Sequence, residues 1–133
     1  MPTDDSRNNL RFAESVPPDD SVQLTYDVDR EATIDEVDVR IYRGPELDLE
    51  VRPFVVDGDH EVPLVTFIGK DYIDGDGDFF EFALSEPVTP GETLGVEVVN
   101  RDTEYAYDFS VDISLDHAGG TSRSATGLLG RWL

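Results

Sequence analysis

The five residues Asp74-Gly75-Asp76-Gly77-Asp78 place three carboxylates at alternate positions, the spacing of the first half of a calcium loop. Oxygen ligands so arranged suit a hard cation, Ca2+ or Mg2+; no other cofactor is indicated. The match to an EF-hand stops there. The sixth position is Phe79 instead of glycine, the twelfth is Ser85 instead of glutamate, and no helical pattern flanks the segment. Two Asp-Gly steps ahead of Phe79-Phe80 equally build a tight turn. A second acidic turn, Asp57-Gly58-Asp59-His60, has the same two readings. His60 and His117 stand alone at strand ends, without the paired spacing of a transition-metal site, and read as solvated surface histidines. No serine lies in a nucleophile elbow. Carboxylate pairs carry no signal for glycoside chemistry, because thirty acidic residues supply a pair at almost any spacing. No catalytic residue is assigned. Tyr72, beside Asp71 and Asp74, and the out-of-phase Tyr42 are the aromatic side chains available to stack on a sugar ring.

The elements that would position these residues are strands. Val22, Leu24, Tyr26 and Val28 alternate with polar residues, as do Val37, Val39 and Ile41, then Leu47, Leu49 and Val51 after the Gly44-Pro45 break. A short run spans 62–68. Phe80, Phe82 and Leu84 form another inward set, and Leu94, Val96 and Val98 follow the Pro90-Gly91 turn. In the last strand Tyr105, Tyr107, Phe109, Val111, Ile113 and Leu115 share one face. No segment has a helical period. The spacing predicts an all-β fold, an antiparallel two-sheet sandwich of 7–8 strands, jelly-roll or immunoglobulin-like.

Composition bounds what such a domain can do. Thirty acidic residues stand against ten basic ones, for a formal net charge of −20 over 133 residues, and only Lys70 among the basic residues is lysine. The acidic residues are dispersed along the chain, as in proteins of organisms that accumulate salt in the cytoplasm. At molar salt the Debye length falls to about 3 Å and self-repulsion is screened. A charge used directly, for DNA mimicry or cation buffering, is the alternative. Direct nucleic-acid binding is excluded by the lack of a basic stripe. There are no cysteines, and no stretch approaches the roughly 18 apolar residues of a membrane span. The start, MPTDDSRNNLRF, has no apolar signal run, so production in a host cytoplasm without a signal peptide is expected.

Three regions follow. Residues 1–20 read as a polar N-terminal arm, 21–117 as the sandwich, and 118–133 as a linker, AGGTSRSAT, ending in an apolar tail. The tail gathers Leu128, Leu129, Trp132 and Leu133, which suit an apolar groove on a neighbouring chain. Folding back over the chain's own sandwich is the other use of such a tail.

The segments Pro45-Glu46-Leu47-Asp48-Leu49-Glu50-Val51-Arg52-Pro53, Gly69-Lys70-Asp71-Tyr72-Ile73-Asp74-Gly75-Asp76 and Pro90-Gly91-Glu92-Thr93-Leu94-Gly95-Val96-Glu97-Val98-Val99-Asn100 carry a family resemblance. Over about residues 20 to 116 the chain resembles small β-sandwich virion proteins of haloarchaeal viruses. That resemblance implies a non-enzymatic capsid, decoration or tail component, located in the virion. Its partners would be copies of itself, in trimers or pentamers, and other virion proteins. A carbohydrate- or cell-surface-binding module of a virus tail or haloarchaeal envelope is the alternative.

Overall fold

A computed structural model describes residues 7–66 and 69–117, the side chain of Arg7 excepted. Eight strands follow in chain order: β1 (Arg7–Val16), β2 (Asp20–Asp27), β3 (Ala32–Ile41), β4 (Leu49–Asp57), β5 (His60–Pro63), β6 (Asp78–Val88), β7 (Thr93–Asn100) and β8 (Tyr107–Asp116). They form two four-stranded antiparallel sheets, β1-β8-β3-β6 and β2-β7-β4-β5. The β4–β5 link is a hairpin around Asp57-Gly58, where Gly58 takes φ 64°. Every other connection crosses from one sheet to the other. This is the wrapped connectivity of a jelly roll, and its strand order differs from an immunoglobulin-like one.

Alternation explains the core. Val37, Val39 and Ile41 of β3 and Phe109, Val111, Ile113 and Leu115 of β8 face Leu49 and Val51 of β4 and Leu94, Val96 and Val98 of β7, all buried. Each such side chain contributes about 1.5–3 kcal/mol by leaving water. One irregularity shifts the phase: β3 bulges between Ile34 and Glu36, so Ile34 and Val37 both point inward although three residues apart. On the outer face of the other sheet Gly95 lies opposite Phe54, and a Cβ at Gly95 would overlap the Phe54 ring. Arg52 roofs that ring at 5.2 Å and is itself held by Glu97 and Glu61.

Asn100 closes one end of the sandwich. Its buried amide donates to the carbonyls of Val16, Pro17 and Tyr105, joining the β1–β2 turn to the β7–β8 connection. The Tyr107 hydroxyl donates to Asp102 in the same corner. That bond holds the Asp102 carboxyl below its ordinary range and pushes the Tyr107 phenol up to about 12.

Several expectations change. Residues 7–16, within the region read as an arm, are strand β1 and pair along their whole length with β8. The inward set Leu10, Phe12 and Val16 is interrupted by Glu14, which weakened the signal. Tyr105 precedes β8 instead of opening it and is 62% exposed, and Leu47 lies in the β3–β4 connection, 64% exposed. His117 is buried, not solvated. Its Nδ1–H donates to the carbonyl of Glu31 at 3.1 Å while Nε2 accepts from Asn8 at 3.1 Å; only the neutral Nδ1–H ring satisfies both. His60 is exposed at the start of β5.

Candidate functional site

The acidic turn resolves into separate contacts. Asp74 Oδ2 pairs with Lys70 Nζ at 3.1 Å, Asp76 Oδ1 accepts the backbone N–H of Gly44 at 2.6 Å, and Asp78 Oδ2 accepts the N–H of Asp76 at 2.8 Å. A Cβ at Gly75 would come within 2.6 Å of Asp78 Oδ2, and Gly77 takes φ 69°, so both glycines serve the turn. The three carboxylates thus reach different partners. Tyr72 is half-buried, with the Lys70 ammonium 4.7 Å from its ring centre.

A different acidic cluster emerges on the outer face of the β1-β8-β3-β6 sheet. Past the bulge, Glu36, Asp38 and Arg40 turn outward from β3. Strand register then sets Arg11, Asp112, Asp38 and Glu81 side by side across all four strands. Arg11 grips Asp112 with two bonds, Nε to Oδ1 at 2.9 Å and an η-nitrogen to Oδ2 at 3.0 Å, and Asn9 adds a third at 3.3 Å. The Arg11 bond, chiefly, holds the Asp112 carboxyl below its ordinary range.

Asp38, next in the row, has no such cation. Its Oδ1 is shielded from solvent without a hydrogen-bond partner. Burial, then the hydrogen bond and charge of Glu36, then the charges of Glu81 and Asp112 push its carboxyl up to about 7. Oxygens of Glu36, Asp38 and Glu81 lie within 4.8 Å of one another, the one such acidic group among the described residues. Three carboxylates so close can share a proton or hold a hard cation.

Apolar surface is exposed at two other places. At one end of the sandwich, where β3 finishes and β4, β6 and β8 begin, lie Tyr42, Leu47, Phe79 and Tyr105. The Arg40 guanidinium sits 4.6 Å from the Phe79 ring centre and 5.9 Å from that of Tyr42. Along one side, the outermost strands β1 and β2 leave a groove of about 360 Å³ whose lining includes Leu10, Phe12, Glu14, Leu24 and Tyr26. Leu10, Leu24 and Tyr26 are only half-buried there.

No protein-family model and no curated protein matches the sequence. Among solved structures, the Yersinia pseudotuberculosis-derived mitogen is similar, with a TM-score of 0.53 and 13% identity over 88% of this chain and 92% of that one. The likeness is one of fold. Structures of infectious bursal disease virus are also similar. For the Gx strain the TM-score is 0.46 and the identity 8%, over 88% of this chain and 32% of the viral one. For the Gt strain the values are 0.42 and 12%, over 91% and 34%. The chain therefore spans about a third of the viral chains it resembles.

The apolar cluster Leu128, Leu129, Trp132 and Leu133 lies outside the described residues. The acidic row was not found from sequence. Its signal was present as the outward phase of Glu36, Asp38, Glu81 and Asp112, but alternation does not say which strands are neighbours.

Proposed function

We propose that this chain is a non-enzymatic structural component of a halophilic archaeal virus particle. It is a capsid-associated or decoration protein that assembles with copies of itself and with neighbouring virion proteins. The jelly-roll connectivity carries this reading, since viral capsid domains are a recurrent use of that wrapping. The step from fold to role is one of analogy. The acid excess and single lysine support a high-salt setting. The apolar tail, Leu128 to Leu133, supplies a contact to a neighbour.

The full chain in molar salt tests it by light scattering. A closed oligomer, a trimer or pentamer, is expected; a monomer at every concentration would contradict self-assembly.

Tyr42, Phe79 and Arg40 favour a second reading, a carbohydrate- or cell-surface-binding module of a virus tail or haloarchaeal envelope, because exposed rings beside a cation suit a sugar face. Titration with oligosaccharides distinguishes it. Binding lost in Tyr42→Ala and Phe79→Ala would favour it over the first.

A further inference from the structure

We infer that the groove between β1 and β2 receives the C-terminal segment, residues 127–133, of a second copy of this chain. The inference rests on the assembly reading above and names the surface through which copies join.

Both walls of the groove are edge strands on the same side of the sandwich, one from each sheet. Edges of that length, ten and eight residues, present unpaired backbone groups, and here they flank half-buried Leu10, Leu24 and Tyr26. An apolar seam that no described residue covers, on an otherwise acidic body, calls for an occupant that is apolar and not acidic. The chain contains one. Residues 118–133 hold no aspartate or glutamate, and they hold Arg123 and Arg131 besides Leu128, Leu129, Trp132 and Leu133. Residues 1–117 hold all thirty acidic residues and the other eight basic ones, so their charge is 8 − 30 = −22, against +2 for the last sixteen. Two bodies of −22 repel at contact. The cationic tail is the part of one copy best able to approach another, and Glu14 at the groove gives its arginine a partner.

Geometry allows the connection. The tail begins after His117, which is pinned to Asn8 of β1 and to the Glu31 carbonyl. Residues 118–126 span up to about 30 Å when extended, enough to leave one sandwich and reach the next. Every copy then offers one plug and one groove. Such a head-to-tail contact closes into a ring when the rotation per copy fits a whole number of copies.

The chain has no cysteine, so introduced thiols report unambiguously. Ala13→Cys, in the exposed wall of the groove, and Gly130→Cys are made in separate chains and mixed in molar salt under mild oxidation. A mixed disulfide is expected, about ten-fold above a control pairing Gly130→Cys with Ser85→Cys on β6, because docking raises the local thiol concentration. The double variant is also oxidised alone. Purely intrachain bonds there, with no mixed product between the single variants, would show the tail in its own groove and overturn the inference. Absence of any specific disulfide from a chain that still scatters as an oligomer would overturn the groove and leave the assembly reading standing. The same absence from a monomer would overturn both.

Discussion

Asn8 on the edge strand and His117 at the end of the last strand share a hydrogen bond of 3.1 Å across 109 residues of sequence. The bond fixes where the C-terminal segment leaves the sandwich, one strand away from the β1–β2 groove.

Replacing His117 with alanine should destabilise the sandwich by about 1–3 kcal/mol, the cost of leaving the Glu31 carbonyl and the Asn8 amide without their partner. The thermal midpoint should fall by several degrees. An unchanged midpoint would mean that water replaces the ring at no cost.

Asp38 makes stability depend on pH in an unusual direction. The folded chain keeps its proton up to about pH 7, whereas the unfolded chain gives it up near ~3.9. Between those values the folded state binds more protons, so stability falls as pH rises from about 4 to 7 and is level above. With screening at a half-exposed site, the loss should be about 1–2 kcal/mol. Asp38→Asn should flatten the profile, as followed by thermal melting at each pH; a wild-type midpoint independent of pH would refute the assignment.

The acidic turn should behave as a turn. Asp76→Asn keeps the oxygen that accepts the Gly44 N–H and should change stability by less than about 0.5 kcal/mol. Dialysis against a chelator should leave the midpoint in place, and a clear drop would point to a bound cation at Asp74, Asp76 and Asp78.

Dialysis from molar salt into low-salt buffer should lower the midpoint strongly, because a charge of −20 is then unscreened. An equal midpoint in both buffers would detach the acid excess from salt.

Alternation made most of this fold legible. The inward runs of β3, β7 and, from Tyr107 onward, β8 stand in the sequence as they stand in the core, and the turn at Asp74 to Asp78 leads into β6. Three features were hidden for physical reasons. Strand β1 has Glu14 in its inward phase, where the groove admits a charge, so its pattern resembles a coil. Buried His117 depends on a carbonyl and an amide 86 and 109 residues away, which local patterning cannot supply. The row Arg11, Asp112, Asp38 and Glu81 exists only through register between four strands. The choice of jelly roll over an immunoglobulin-like order likewise required the crossings themselves, because strand lengths and spacings are alike in both.

Deleting residues 127–133 tests the assembly account most directly, with thermal midpoint and light scattering measured together in molar salt. The account expects a folded sandwich whose midpoint stays within a degree or two, since the core is built from β1 to β8, together with loss of the oligomer. A midpoint lowered by several degrees with the particle size unchanged would contradict it and make the tail a cover for its own sheets.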